Sequence, residues 1–216
     1  IPTPNIHFPR VHLAGPLPRL DGDDAAAAVR PLLLFYVGWN YDTRMRLVEL
    51  YRSDADPAIF VRRKVAPPEF RANIVRARFC PVCGGFSQWT PRLAEIIYAE
   101  CVPVLLSPNL LPPFSGILNW SAFSVRLNPS QRTLANLKTI LRGLDYSRLV
   151  AGVRAAKMAL QYRLDSYQGD DMLPLLMYEM WRRVSRPMPR VADDQRATQL
   201  YNDIDPARDY DAGTLQ

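Results

Sequence analysis

Residues Phe79–Trp120 read FCPVCGGFSQWTPRLAEIIYAECVPVLLSPNLLPPFSGILNW, and this stretch decides the fold. Cys80 is read as a strand end, Gly84-Gly85 as a turn, Pro91–Glu100 as a helix opened by Thr90, and Val102–Leu106 as an apolar strand. Strand, glycine turn, capped helix and strand together set a helix N-terminus beside a strand end, where an anionic ligand can be held.

Thr90 suits the N-cap, and Pro91 suits the first helical position because its missing N–H would have no helical partner there. Arg92 then falls in the first turn beside open backbone N–H groups. Glu95 follows three residues on along the same face, while Leu93, Ile96 and Ile97 point toward a core. An arginine with amide donors suits a pyrophosphate, and a carboxylate one turn deeper can accept hydrogen bonds from the two ribose hydroxyls. The same two residues also read as an ordinary i,i+3 surface pair, worth a few tenths of a kcal/mol.

Working outward, apolar strands alternate with helical patterns, which predicts a parallel sheet with helices on both faces. Strands are expected at Leu32–Val37, Ile59–Arg62, Phe79–Val82, Val102–Leu106 and Phe123–Leu127. Helices are expected at Thr43–Tyr51, Pro68–Ala77, Pro91–Glu100, Ser130–Leu141, Tyr146–Tyr167 and Asp171–Val184. The Met and Trp181 stripe of the last helix reads as core. Gly38, Gly84-Gly85, Thr90 and Ser107 all follow strands and so converge on the carboxyl edge of the sheet, where such folds bind ligands. Arg44 opens the helix after Gly38. A cation is poorly placed at a helix N-terminus unless an anion is to be bound, so Arg44 is the second phosphate candidate.

The residues Phe79, Cys80, Gly85, then Pro91, Arg92, Glu95, then Glu100, Cys101, Val102, Pro103, Val104, then Pro113, Phe114, and finally Leu118, Asn119, Trp120, Phe123, Ser124, Val125 keep one order and spacing. In this they resemble the C-terminal half of the exostosin-like glycosyltransferases of family 47. Leu32–Gly38 with Asp42-Thr43-Arg44 resembles that family's first strand, glycine loop and following arginine. The likeness covers about residues 1 to 165. Val82 and Cys83 replace the family's second Cys and Pro, Thr90 its Ser, and Pro108 an often acidic position, while Trp89 is larger than the usual residue there.

The resemblance implies a Rossmann-like parallel sheet, the C-terminal domain of a GT-B glycosyltransferase, with a helical C-terminal extension. The expected divisions are a Pro-rich crossover segment over 1–30, a nucleotide-sugar-binding domain over 31–168, a helix over 169–188 and an acidic, disordered tail over 189–216. Gly38, Arg44, Gly85, Thr90, Arg92 and Glu95 become the candidate nucleotide-sugar ligands. The implied partners are a UDP-sugar donor and a polysaccharide or glycoprotein acceptor, with an N-terminal domain expected to precede this half. A Golgi lumen setting and a membrane anchor outside this chain are implied too.

Composition fits such a half. The 216 residues, 48% hydrophobic and 22% charged, can bury one substantial core, and no run reaches the ~18 apolar residues of a membrane helix. The sequence starts at Ile1 with no signal peptide, which reads as a fragment. Net charge is +6, but residues 191–216 carry −4, leaving +10 on residues 1–190. Arg62, Arg63, Lys64, Arg71, Arg76 and Arg78 cluster; without a nucleic-acid motif, this suits a diphosphate, an acidic glycan or solvent rather than nucleic acid. Cys80-x-x-Cys83 lacks the His or further Cys that zinc needs nearby, and it precedes glycines rather than opening a helix, unlike a redox motif. A Cys80–Cys83 or other disulfide would require an oxidising lumen, and Cys101 reads as a small core residue. His7 and His12 read as loop residues. No Asp-x-Asp motif occurs, and neither metal nor cofactor is expected.

The expected reaction is inverting sugar transfer, with an unassigned catalytic base and with Arg92, Arg44 and helix amides neutralising the leaving diphosphate. The alternative is a non-catalytic nucleotide-sugar or glycan-binding module assisting a partner transferase, favoured by Trp89 and Pro108. A hydrolase is disfavoured, since there is no Gly-x-Ser-x-Gly elbow and no paired-carboxylate motif.

Overall fold

A computed structural model describes residues 30–39, 42–84, 90–108, 110–160 and 172–185. Five parallel strands, β1 (Leu32–Val37), β2 (Ile59–Arg62), β3 (Ala77–Cys83), β4 (Val102–Leu106) and β5 (Val125–Arg126), stand in the order β2-β1-β3-β4-β5. The helices are α1 (Asp42–Tyr51), α2 (Pro67–Ile74), α3 (Arg92–Tyr98), α4 (Gln131–Ala135), α5 (Leu137–Arg142), α6 (Tyr146–Leu160) and α7 (Met172–Ser185). Every residue of β1 and β4 is buried, which is why both strands read as unbroken apolar runs: helices cover both faces. The doubly wound α/β architecture expected from the alternation is what the chain adopts.

Some boundaries move for tertiary reasons. The helix expected over Pro68–Ala77 stops at Ile74, because Ala77 pairs with Leu32 and is drawn into β3. That strand continues past Cys80 to Cys83, which pairs with Leu106, so Cys80 lies within the strand and not at its end. The final strand shrinks to Val125–Arg126. The Ser130–Leu141 helix is two helices meeting at Asn136 (φ −97°, ψ 6°), whose side-chain amide donates to Arg132 O at 3.0 Å and competes for a helical carbonyl. Ser130 does cap its helix, accepting from Thr133 N at 3.1 Å. The tail of the Tyr146–Tyr167 helix, residues 1–29 of the crossover segment and the acidic tail lie outside the described residues. The stripe on α7 expected as core is instead exposed, with Met177, Met180 and Trp181 each about 60% accessible (62%, 61% and 61%). Its inward positions are taken by Met172 and by Glu179, which pairs with Arg182 and Arg183.

At the amino edge of the sheet, two fasteners hold the elements. Cys80 and Cys101 form a disulfide with Cα atoms 5.9 Å apart, so the bridge joins Cys80 to Cys101 rather than to Cys83, while Cys101 is buried in the core as read. The two cysteines flank the whole β3–α3–β4 crossover. Glu100, at φ 56° and 5% exposed, receives hydrogen bonds from Arg154 Nε and Lys157 Nζ of α6, both at 2.9 Å. Arg30, also buried, lies 4.0 Å from the same carboxylate and donates to Ala77 O (2.9 Å) and Ala99 O (3.0 Å). Burial pushes the Glu100 carboxyl up, but the Lys157 and Arg154 hydrogen bonds outweigh it and hold it below its ordinary value.

Two stability predictions follow from these fasteners. Closing a loop with a sequence separation of 21 residues stabilises by about 3 kcal/mol in the chain-entropy description. Cys101→Ser should lower unfolding stability by about that much, and thiol titration of the non-reduced, denatured wild type should count Cys83 alone; three titratable thiols would remove the bridge. Because the folded Glu100 value lies below the ordinary 4.5, its stabilisation is complete above that pH and is lost as pH falls through the folded value. Denaturant unfolding should therefore show an acid decline starting near pH 4.5 that is reduced in Glu100→Gln. Glu100→Ala, which strands Arg30, should lose about 3–5 kcal/mol at neutral pH.

Candidate functional site

The connection leaving β1 turns toward β2 and the one leaving β3 turns toward β4, so a cleft opens between the carboxyl ends of β1 and β3. Tyr36, Val37, Gly38, Arg44, Val82, Cys83, Thr90 and Arg92 line it. It holds about 60 Å³, well below the roughly 300–1,000 Å³ of a pocket that encloses a whole small molecule. The space suits one anionic group of a larger ligand.

The two arginines cross. Arg44, in the first turn of the helix that follows β1, donates from Nη2 to Cys83 O at 3.3 Å, the last residue of β3. Arg92, opening the helix that follows β3, donates from Nη1 to Val37 O, the last residue of β1. Its guanidinium also lies over the rings of Tyr36 (5.8 Å) and Phe70 (5.5 Å). Each guanidinium presents its N–H donors in a planar fork, the geometry that phosphate oxygens accept.

Beneath them is a pair that the sequence reading did not identify. Tyr36 and Cys83 both line the cleft and lie close enough to influence each other's ionisation. Burial pushes the Cys83 thiol up to about 12 and raises the Tyr36 phenol as well, so both stay neutral and the arginines alone set the charge of the cleft. Tyr36 also explains Gly38: a Cβ there would lie 2.7 Å from the Tyr36 hydroxyl oxygen. Gly84 is similarly confined, its would-be Cβ 3.0 Å from Ser107 Oγ. The signal available in the sequence was a tyrosine near the end of an otherwise aliphatic and phenylalanine strand, two residues before a glycine.

Of the expected ligands, Gly38, Arg44, Thr90 and Arg92 meet in this cleft. Gly85 lies outside the described residues, as does Trp89. Glu95 is 8% exposed and is not part of the cleft lining. The open amides expected at the start of the helix are engaged: Arg92 N donates to Thr90 Oγ1 (3.4 Å), Leu93 N to Thr90 O (3.3 Å) and Ala94 N to Pro91 O (3.1 Å). The helix begins at Arg92, with Pro91 at the cap position and the Thr90 hydroxyl accepting from the residue after it. Neutralising power in the cleft therefore resides in side chains. Among the described residues no group of three or more His, Cys, Asp or Glu could hold a metal ion, and no helix is long and apolar enough to cross a membrane.

Comparison with known proteins places the chain in a family. Residues 5–144 match the exostosin GT47 domain. A probable glycosyltransferase of Arabidopsis thaliana is 28% identical over 188 residues, covering 84% of this chain and 35% of the relative. The probable glucuronoxylan glucuronosyltransferase IRX7 of the same plant is 27% identical over 157 residues, covering 69% and 34%. A probable glucuronosyltransferase of Oryza sativa subsp. japonica is 26% identical over 104 residues, covering 48% and 24%. The chain thus spans about a third of the length of the first two relatives. With its Rossmann-like sheet, as in a GT-B glycosyltransferase, and a domain match over most of its length, this chain belongs to the exostosin GT47 family of glycosyltransferases.

Proposed function

We propose that the β1/β3 cleft binds the diphosphate of a nucleotide-sugar donor, UDP-linked, and that the protein moves its sugar to a polysaccharide or glycoprotein acceptor with inversion. The observation that carries this reading is the crossing of Arg44 and Arg92 at the switch point of a doubly wound sheet. Two cations on neutral Tyr36 and Cys83 stabilise the charge that develops on a departing diphosphate. Glu95, in the first turn of α3, is assigned to the ribose hydroxyls, and Gly85 and Thr90 to the phosphate side. The acceptor hydroxyl attacks the anomeric carbon, its proton passes to a base, and the C–O bond to the diphosphate breaks. None of the described cleft-lining residues is a carboxylate or a histidine, and we assign the base to an N-terminal domain of the complete protein. The Cys80–Cys101 disulfide suits an oxidising compartment, in keeping with a membrane-anchored protein of the Golgi lumen.

The second reading is a nucleotide-sugar-binding module without turnover. Its support is Pro108, exposed just after β4 where the family often places an acidic residue. UDP binding by the complete protein without transfer from any donor would favour it.

Calorimetric titration tests the assignments. Arg92→Ala should weaken UDP by about 1.5–3 kcal/mol while leaving uridine nearly unchanged, and Arg44→Ala should do the same more weakly. Equal losses for UDP and uridine would mean a collapsed cleft. Glu95→Gln should instead weaken UDP and uridine alike, by about 1–3 kcal/mol.

Cys83 supplies an independent readout. As the one free thiol among the described residues, it should react with a small thiol reagent only when the cleft opens, and UDP should slow that reaction more than uridine does. Labelling unaffected by saturating UDP would move the phosphate away from this cleft.

A further inference from the structure

The carboxyl edge carries a second cationic feature, one strand over. Gly38 N donates to Arg62 O at 3.0 Å, which carries the β1–β2 register one step past the strand ends, setting Arg63 beside the cleft-lining Gly38 and within reach of Trp39. The Arg63 guanidinium carbon lies 3.4 Å from the centre of a Trp39 ring. At that separation the two planes must be face to face, since an edge-on approach would overlap the ring. The stacked guanidinium is held in orientation, and its N–H donors project from its edge in the fork that matches a carboxylate.

Neighbouring cations differ. Arg62 lies over Phe60 at 5.1 Å and donates to Arg52 O (3.1 Å) and Val61 O (2.9 Å); its charge serves the edge strand and the end of α1. Arg63 makes no such bond, and neither it nor the adjacent exposed Lys64 has a carboxylate partner among the described residues. Among the described residues, an oriented fork beside a lysine with no anionic partner costs stability through self-repulsion unless it meets an anion.

We propose that Arg63, held on Trp39 and flanked by Lys64, is a carboxylate subsite that takes the uronate group of an acidic sugar. The carboxylate can arrive on the donor sugar or on the acceptor glycan, and only the first source rests on the donor reading of the adjacent cleft. The stacked geometry, rather than charge alone, makes the site selective, because a bidentate fork distinguishes a planar carboxylate from neutral hydroxyls.

Titration of the full chain with two matched pairs tests this: UDP-glucuronate against UDP-glucose, and trigalacturonate against its methyl ester. In the wild type the acidic member of at least one pair should bind roughly tenfold tighter, and the pair that shows the preference identifies the source. Arg63→Ala should abolish the preference without changing UDP affinity. Arg63→Lys should keep little of it, and Trp39→Leu, which leaves the charge but removes the platform, should lose most of it. Absence of discrimination in both pairs, or a preference that survives Arg63→Ala, overturns the proposal. Failure of UDP to bind while trigalacturonate is still preferred over its ester would sink the donor reading and leave this subsite standing for the acceptor.

Discussion

β1 and β3 are neighbours in the sheet, yet the chain leaves them in opposite directions, and that divergence is the constraint on which the site depends. A parallel sheet cannot close the gap left where its connections part, so the last carbonyls of both strands face open space. Here each gap-side carbonyl is met by an arginine from the helix that follows the other strand, Arg44 on Cys83 and Arg92 on Val37. The crossing ties both loops to both strands. It also concentrates two permanent charges over a neutral floor, because burial keeps Tyr36 and Cys83 protonated. The cleft is thereby positive without a metal or an ionised nucleophile having to be invoked.

The opposite edge of the sheet holds this arrangement in place. The β3–α3–β4 crossover that delivers Arg92 is bracketed by Cys80 and Cys101, and the residue just before Cys101 is Glu100. Its buried carboxylate gathers Arg154 and Lys157 from α6 and lies beside Arg30 from the segment ahead of β1. Such a group is expensive to bury alone and strongly structured when satisfied. A positive φ at a glutamate, of the order of 1 kcal/mol or more unfavourable, is tolerated because the same residue anchors α6. Stability is thus collected at the amino edge, leaving the carboxyl edge free for cations that a ligand must neutralise.

Much was legible beforehand. β1, β2 and β4 fall at the residues their composition predicts, since a short apolar run flanked by turn residues is a local signal. Arg44, Arg92, Thr90 and Gly38 were identifiable from their places just beyond strand ends. The engaged amides at Thr90–Ala94 were not, because a cap and its first turn differ by one residue of backbone geometry that composition does not encode. The exposure of Met177, Met180 and Trp181 was also hidden: periodicity marks a face as apolar but does not say whether another element lies against it.

By itself the sequence determined the alternation of strands and helices, the parallel sheet this requires, and the set of cations available near the strand ends. Those properties depend on neighbours within a few residues, and the side-chain pattern records them directly. Only the tertiary structure decided that β1 lies beside β3, that Arg44 and Arg92 therefore exchange strands, that Cys80 meets Cys101, and that Arg63 stacks on Trp39. Each of these joins residues separated by about twenty positions or more, and such a pairing is fixed by how buried surfaces close around one another rather than by any local preference of the chain.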